Sequence, residues 1–195
     1  MNYKNKIVDW QEAAGIIKNG GIVVLPTDTL YGVVASVWQP AAVERLYKIR
    51  RRPLDKPCIV LLGEQRQLLA FDIHLTAKQA NYLRQWWPGA VSVVLPCAGE
   101  KWQYLHRGQD SLAFRCVADD KLRQWLIETG PIIAPTANLS NQSPSLTIAQ
   151  AMDYFSDQVD GYVDAGRREG HPSTVISLFT DKPQILRPGA IKLNL

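Results

Sequence analysis

Five cations fall within nine residues of this chain: Lys48, Arg50, Arg51, Arg52 and Lys56, opposed there by Asp55 alone. The segment therefore carries the whole net excess of +4, and the rest of the chain is balanced. Charge gathered so tightly suits one focused anion site better than a generally basic surface. Complementing a helix C-terminus accounts for one or two such cations. It accounts poorly for five. Charge-assisted contacts to phosphate contribute about 1.5–3 kcal/mol each, so two or three would hold a nucleotide in the sub-millimolar range.

Other polar groups stand where apolar strands end. Thr27, Asp28, Thr29 and Tyr31 lie in the joint between two Val- and Ile-rich stretches, 21–26 and 32–38. Thr136 and Asn138 follow the apolar pair Ile132-Ile133. A hydroxyl and an amide two residues apart on an emerging strand point to the same side and can hold one ligand. Arg115 alternates with core residues in Ser111-Leu-Ala-Phe-Arg-Cys-Val117. Its charge needs an anionic partner, either an internal carboxylate such as Asp28 or the carboxylate of a ligand. Arg187 sits at the end of a strand near the C-terminus. Strand ends converging on one cleft are the usual way a sheet builds a ligand site.

The elements that must position these groups alternate between strand and helix. Asp9 is expected to cap a helix from Trp10 to Asn19, stopped by Gly20. Pro40 opens a second helix, ended by Pro53. Further helices are expected at 76–87, 119–128 and 147–157, the last capped by Thr147 or Ser145. Strands are expected at 58–62, 90–96, 111–117, 131–135, 161–166, 173–179 and 184–189. Without repeats or a separating linker, residues 1–195 read as one α/β or α+β domain. It has a twisted, mixed sheet flanked by helices and a central basic cleft. No order of strands follows from the sequence.

Several chemistries are not written here. The chain has no GxxxxGK[ST] loop, no GxGxxG and no GxSxG elbow. Cys58, Cys97 and Cys116 are far apart in apolar surroundings and read as reduced core residues. The three histidines form no ligand pair, so no protein-built metal site is expected. No apolar run approaches the roughly 18–20 residues that span a bilayer. Residues Met1–Ile7 lack the apolar region of an export signal, which makes the cytoplasm the expected location.

In order along the chain, Pro26-Thr-Asp-Thr-Leu-Tyr-Gly32, "RRRPLDKP", "WWPGAVSVVLP", "SLAFR", "PTANLSNQSP", "PSTVISL" and "ILRPGAI" resemble the motifs of the YrdC-like family of threonylcarbamoyl-AMP synthases. The third segment is similar to that family's WPGPLTLVL. The resemblance implies a short, single-domain form that joins L-threonine, bicarbonate and ATP with Mg2+ into threonylcarbamoyl-AMP and pyrophosphate. That is the first step of t6A modification of tRNA, so downstream t6A transferase proteins are implied partners. It also implies site residues. Thr27, Thr29, Tyr31, Arg115, Ala134 and Ser173 would bind threonine. Arg52, Lys56, Ser111, Thr136, Asn138 and Arg187 would bind ATP. Arg50, Arg52, Thr136 and Asn138 would carry catalysis. Three positions depart from the pattern: Arg50 for lysine, Thr136 for serine and Asn141 for glycine.

Two other functions compete. One is a module that binds tRNA or double-stranded RNA without chemistry, although basic and aromatic residues do not interleave as a stacking platform would require. The other is a carbamoyl-handling or nucleotide-hydrolysing relative with a different substrate.

Overall fold

The computed structural model describes residues 6–180 and 182–193, so part of the N-terminal stretch read for an export signal, residues 1–5, lies outside it. Nine strands form one sheet, in the order β7-β1-β2-β6-β3-β5-β4-β8-β9. They are β1 (Ile22–Pro26), β2 (Tyr31–Ser36), β3 (Val60–Leu62), β4 (Val91–Pro96), β5 (Ser111–Cys116), β6 (Ile132–Ile133), β7 (Gly161–Tyr162), β8 (Thr174–Ser177) and β9 (Gln184–Arg187). The sheet is mixed: β1–β7, β3–β5 and β4–β8 pair in parallel, and the remaining neighbours are antiparallel.

Period-two alternation decides which side chain meets which layer. In β1, Ile22 and Val24 join one apolar cluster, while Val23 and Leu25 join another. β3 divides Val60 and Leu62 from Leu61 in the same manner. One face is covered by α2 (Pro40–Arg50), α3 (Ala77–Trp86) and α6 (Ile148–Phe155). The other is covered by α1 (Trp10–Lys18) and α5 (Asp120–Thr129). A sheet covered on both faces explains why β1 and β2 are buried throughout and mostly apolar. A short α4 (Gln103–His106) completes the helices.

The expected caps are in place. Asp9 accepts from the Gln11 and Glu12 amides and closes a capping box with Glu12. Thr147, rather than Ser145, caps α6 by accepting from the Gln150 amide; the Ser145 hydroxyl instead donates to the Ala137 carbonyl. The run 131–135 shortens to two regular residues because its ladder with β2 is interrupted after Ile133 and resumes only as a bridge between Gly32 and Thr136, and 161–166 shortens to Gly161–Tyr162. A 3-10 segment at Gln65–Phe71 and α4 have no counterpart in the sequence reading. Both lack a helical apolar period. No helix among the described residues is long and apolar enough to cross a membrane.

Candidate functional site

The β1–β2 joint, the end of α2, β5, the segment after β6 and the strands β8 and β9 meet around one open-mouthed cavity. It encloses about 790 Å³ with its mouth included. Four arginines line it, Arg50, Arg52, Arg115 and Arg187, and among the described residues no carboxylate does. Thr27, Thr29, Tyr31, Ala134, Thr136 and Ser173 complete the expected residues on its wall.

The five-cation segment does not act as a unit. Arg51, just past α2, takes a left-handed conformation at φ 51°, and this kink separates its neighbours. Arg50 turns inward and is buried, Arg52 reaches the cavity, and Lys48, Arg51 and Lys56 stay exposed and off its wall. Arg52 is held in place by donating from Nε to the Lys56 carbonyl (2.9 Å) and from Nη2 to the Pro57 carbonyl (2.8 Å). Lys56 thus serves Arg52 through its backbone. Ser111, at the start of β5, also lies away from the cavity wall.

Arg50 is the densest polar junction of the site. Its Nε donates to the Asn138 carbonyl at 2.9 Å, and its Nη2 donates to Asn138 Oδ1 at 3.1 Å and Thr136 Oγ1 at 3.5 Å. Thr136 in turn donates to Asn138 Oδ1. The Asn138 amide nitrogen is spent on the Leu139 and Gln142 carbonyls, so Asn138 sits behind the cavity and orients Arg50. Asn141, at φ 65°, makes the turn where the family pattern has glycine. Burial pushes the Arg50 guanidinium down to about 10, with Arg52 adding to the effect. It remains charged at neutral pH. Its Nη1 is buried without a hydrogen-bond partner, which is costly unless an anion completes it.

The polar joint is largely self-satisfied. Thr27 Oγ1 donates to the Leu30 carbonyl (2.7 Å) and accepts from the Thr29 and Leu30 amides (3.3 Å each). This holds the turn between two buried strands. Thr29 Oγ1 lies 3.1 Å from Thr27 Oγ1 and 3.4 Å from Arg115 Nη2. The Tyr31 hydroxyl donates to the Gly166 carbonyl (2.7 Å) and accepts from the Ala165 amide (2.9 Å), latching the loop that leads to Pro172 and Ser173. Burial raises its pKa and keeps it protonated. Replacing Tyr31 with Phe is therefore expected to cost about 1–2 kcal/mol of stability. An unchanged urea midpoint would refute the latch.

Both partners considered for Arg115 remain relevant. Its Nη2 donates to Asp28 Oδ1 at 2.8 Å, with both side chains about 5% exposed or less. Asp28 Oδ2 also accepts from the Ala118 amide. Yet Arg115 lines the cavity, and its Nε is buried without a partner. Burial lowers its pKa and Asp28 opposes that shift. Arg187, whose charge also acts on Arg115, donates to the Ser173 carbonyl (2.9 Å), and burial lowers its pKa too. The Ala134 amide is committed to the Ile59 carbonyl. Cys58 and Gly32 also line the cavity. Cys58 reads as core in the sequence, and nothing local marks it as a wall residue.

A family profile for Sua5/YciO/YrdC, described as telomere recombination, matches residues 15–189. The chain belongs to the Sua5/YciO/YrdC family. Within it, the threonylcarbamoyl-AMP synthase of Pyrococcus abyssi is 32% identical over 198 residues, covering 100% of this chain and 58% of that protein. The Bacillus subtilis threonylcarbamoyl-AMP synthase is 36% identical over 185 residues, covering 92% and 53%. The chain thus spans little more than half the length of these curated relatives. P. abyssi Sua5 solved in complex with L-threonine superposes with a TM-score of 0.84 at 31% identity, covering 92% of this chain and 54% of that one. E. coli YciO shares the fold, with a TM-score of 0.80 at 23% identity over 92% of this chain and 88% of its own.

Proposed function

We propose that this Sua5/YciO/YrdC protein is a threonylcarbamoyl-AMP synthase, joining L-threonine, bicarbonate and ATP into threonylcarbamoyl-AMP and pyrophosphate. One observation carries the reading: a cavity lined by four arginines and, among the described residues, no carboxylate, in which the buried Arg50 keeps a nitrogen without a partner. Asp28 already pairs with Arg115, and the remaining arginines favour a ligand carrying several negative charges. The support for threonine as co-substrate is the kinship with synthases of that name and with the Sua5 solved with L-threonine.

In this reading, threonine's neutral amine adds to CO2 and releases a proton, or condenses with bicarbonate and releases water, to give an N-carboxylate. One of its oxygens attacks the α-phosphorus, and the bond to the pyrophosphate oxygen breaks as the new P–O bond forms. The protein forms no covalent intermediate. Its work is to hold two anions together and to stabilise charge on the departing pyrophosphate. In this reading Arg50, Arg52 and Arg187 would serve the phosphates, and Arg115 and Ser173 the amino acid. Mg2+ enters as part of the nucleotide substrate. Among the described residues, no group of three His, Cys, Asp or Glu side chains is placed to hold a metal. The product would feed t6A formation on tRNA, and exposed Lys48, Arg51 and Lys56 offer weak phosphate contacts outside the cavity.

Pyrophosphate release tests the reading. It should require ATP, Mg2+, bicarbonate and threonine together. Release without any amino acid would point to simple hydrolysis. No release, combined with RNA affinity that falls steeply with salt, would favour the binding module.

A further inference from the structure

Ser92, the second residue of β4, is fully buried and is not among the residues of the cavity wall. Its hydroxyl is 2.8 Å from that of Ser173, which is 1% exposed and lines the cavity. Among the described residues, each hydroxyl has the other as its hydrogen-bond partner. The pair lies in fixed surroundings. Arg187 donates to the Ser173 carbonyl, and a Cβ on Gly189 would come within 2.5 Å of the Ser173 carbonyl group.

A serine hydroxyl has one proton to give and two lone pairs to accept with. If Ser173 donated to Ser92, the proton of Ser92 would be left inside the sheet with nothing to receive it. A buried donor without an acceptor is the costly arrangement. With Ser92 as donor both groups are satisfied, and the proton of Ser173 is left for the cavity. The polarity of the pair is thus fixed from the buried end.

We propose that Ser92 is a positioning residue that orients the Ser173 hydroxyl as a donor into the cavity, making this wall selective for an anionic oxygen, a carboxylate or N-carboxylate, over an ammonium. The proposal rests on the reading of the cavity as an amino-acid site. In the family motif WPGPLTLVL, threonine stands at the position of Ser92, so a hydroxyl is retained there and Ser92→Thr is the conservative replacement.

The test is a double-mutant cycle with Ser92→Ala, Ser173→Ala, the double variant and Ser92→Thr. Readouts are steady-state pyrophosphate release, calorimetric binding of L-threonine, and Tm. Ser92→Ala should raise both KM and Kd for threonine about 5- to 10-fold, with less than a twofold change in kcat. Ser92→Thr should restore both constants, and Ser92→Ala should add nothing in the Ser173→Ala background. If Ser92→Ala does not fold, Ser92→Cys, a weak donor of similar size, takes its place. Independent multiplication of the two effects overturns the proposal, as does a lowered Tm with an unchanged threonine KM. Wild-type protein with no threonine-dependent release overturns the functional reading and this proposal together. An active wild type whose two serines act independently overturns this proposal alone.

Discussion

Arg50→Ala is expected to lower threonine-dependent kcat/KM by roughly 10²–10³-fold, the scale of removing one preorganised donor from a site of developing charge. The expectation follows from how Arg50 is held. Three of its contacts run to Thr136 and Asn138, which leaves one nitrogen buried and unpartnered. A guanidinium so restrained loses little freedom when an anion arrives, so its interaction is available at full strength in the transition state. Lysine at this position keeps the charge and loses the fork. Arg50→Lys should therefore recover part of the loss, with most of the deficit in kcat. Asn138→Ala should resemble Arg50→Lys, because Asn138 acts through Arg50. Steady-state kinetics across the three variants, with Tm as a control for folding, checks the argument. An Arg50→Ala enzyme within threefold of wild type would remove Arg50 from the chemistry.

The contrast between Arg50 and its neighbours shows where sequence reading succeeds and where it stops. Of the charge cluster, Arg50 and Arg52 line the cavity and the other three cations do not. Which cations face inward depended on the left-handed turn at Arg51, and a non-glycine residue in that conformation leaves no composition signal. The sheet, its flanking helices and the caps at Asp9 and Thr147 were legible because apolar period and capping chemistry are local. Strand order and the brevity of β6 and β7 were not, since both depend on pairing across the chain. At the β1–β2 joint the hydroxyls expected at a ligand site do line the cavity, yet much of their bonding is internal. Thr27 holds the turn, and Tyr31 latches a loop more than a hundred residues away. Ser92 was invisible for a plainer reason. One serine in an apolar strand gives no hint of a partner 81 positions along the chain.

The second large effect concerns stability. Asp28→Asn should destabilise the protein by about 3–5 kcal/mol, because it leaves the buried Arg115 charge uncompensated. For a chain of this size that is a fall in Tm of roughly 6–20 °C. Asparagine keeps the shape and one acceptor, so the loss isolates charge from packing. Replacing both partners with apolar residues, Asp28→Leu with Arg115→Met, should recover much of the stability, since a buried ion pair contributes little over a well-packed apolar pair. The swap should not recover threonine binding. A ligand carboxylate also distinguishes the two partners that Arg115 can serve. If Arg115 receives it, L-threonine supplies the negative charge that the Asp28→Asn variant has lost. Saturating threonine should then raise the Tm of Asp28→Asn by more than it raises that of wild type, through the linkage of binding to folding. Equal shifts in the two proteins would make Arg115 a purely structural cation. The amino acid's carboxylate would then fall to Ser173 and Arg187, which also line the cavity.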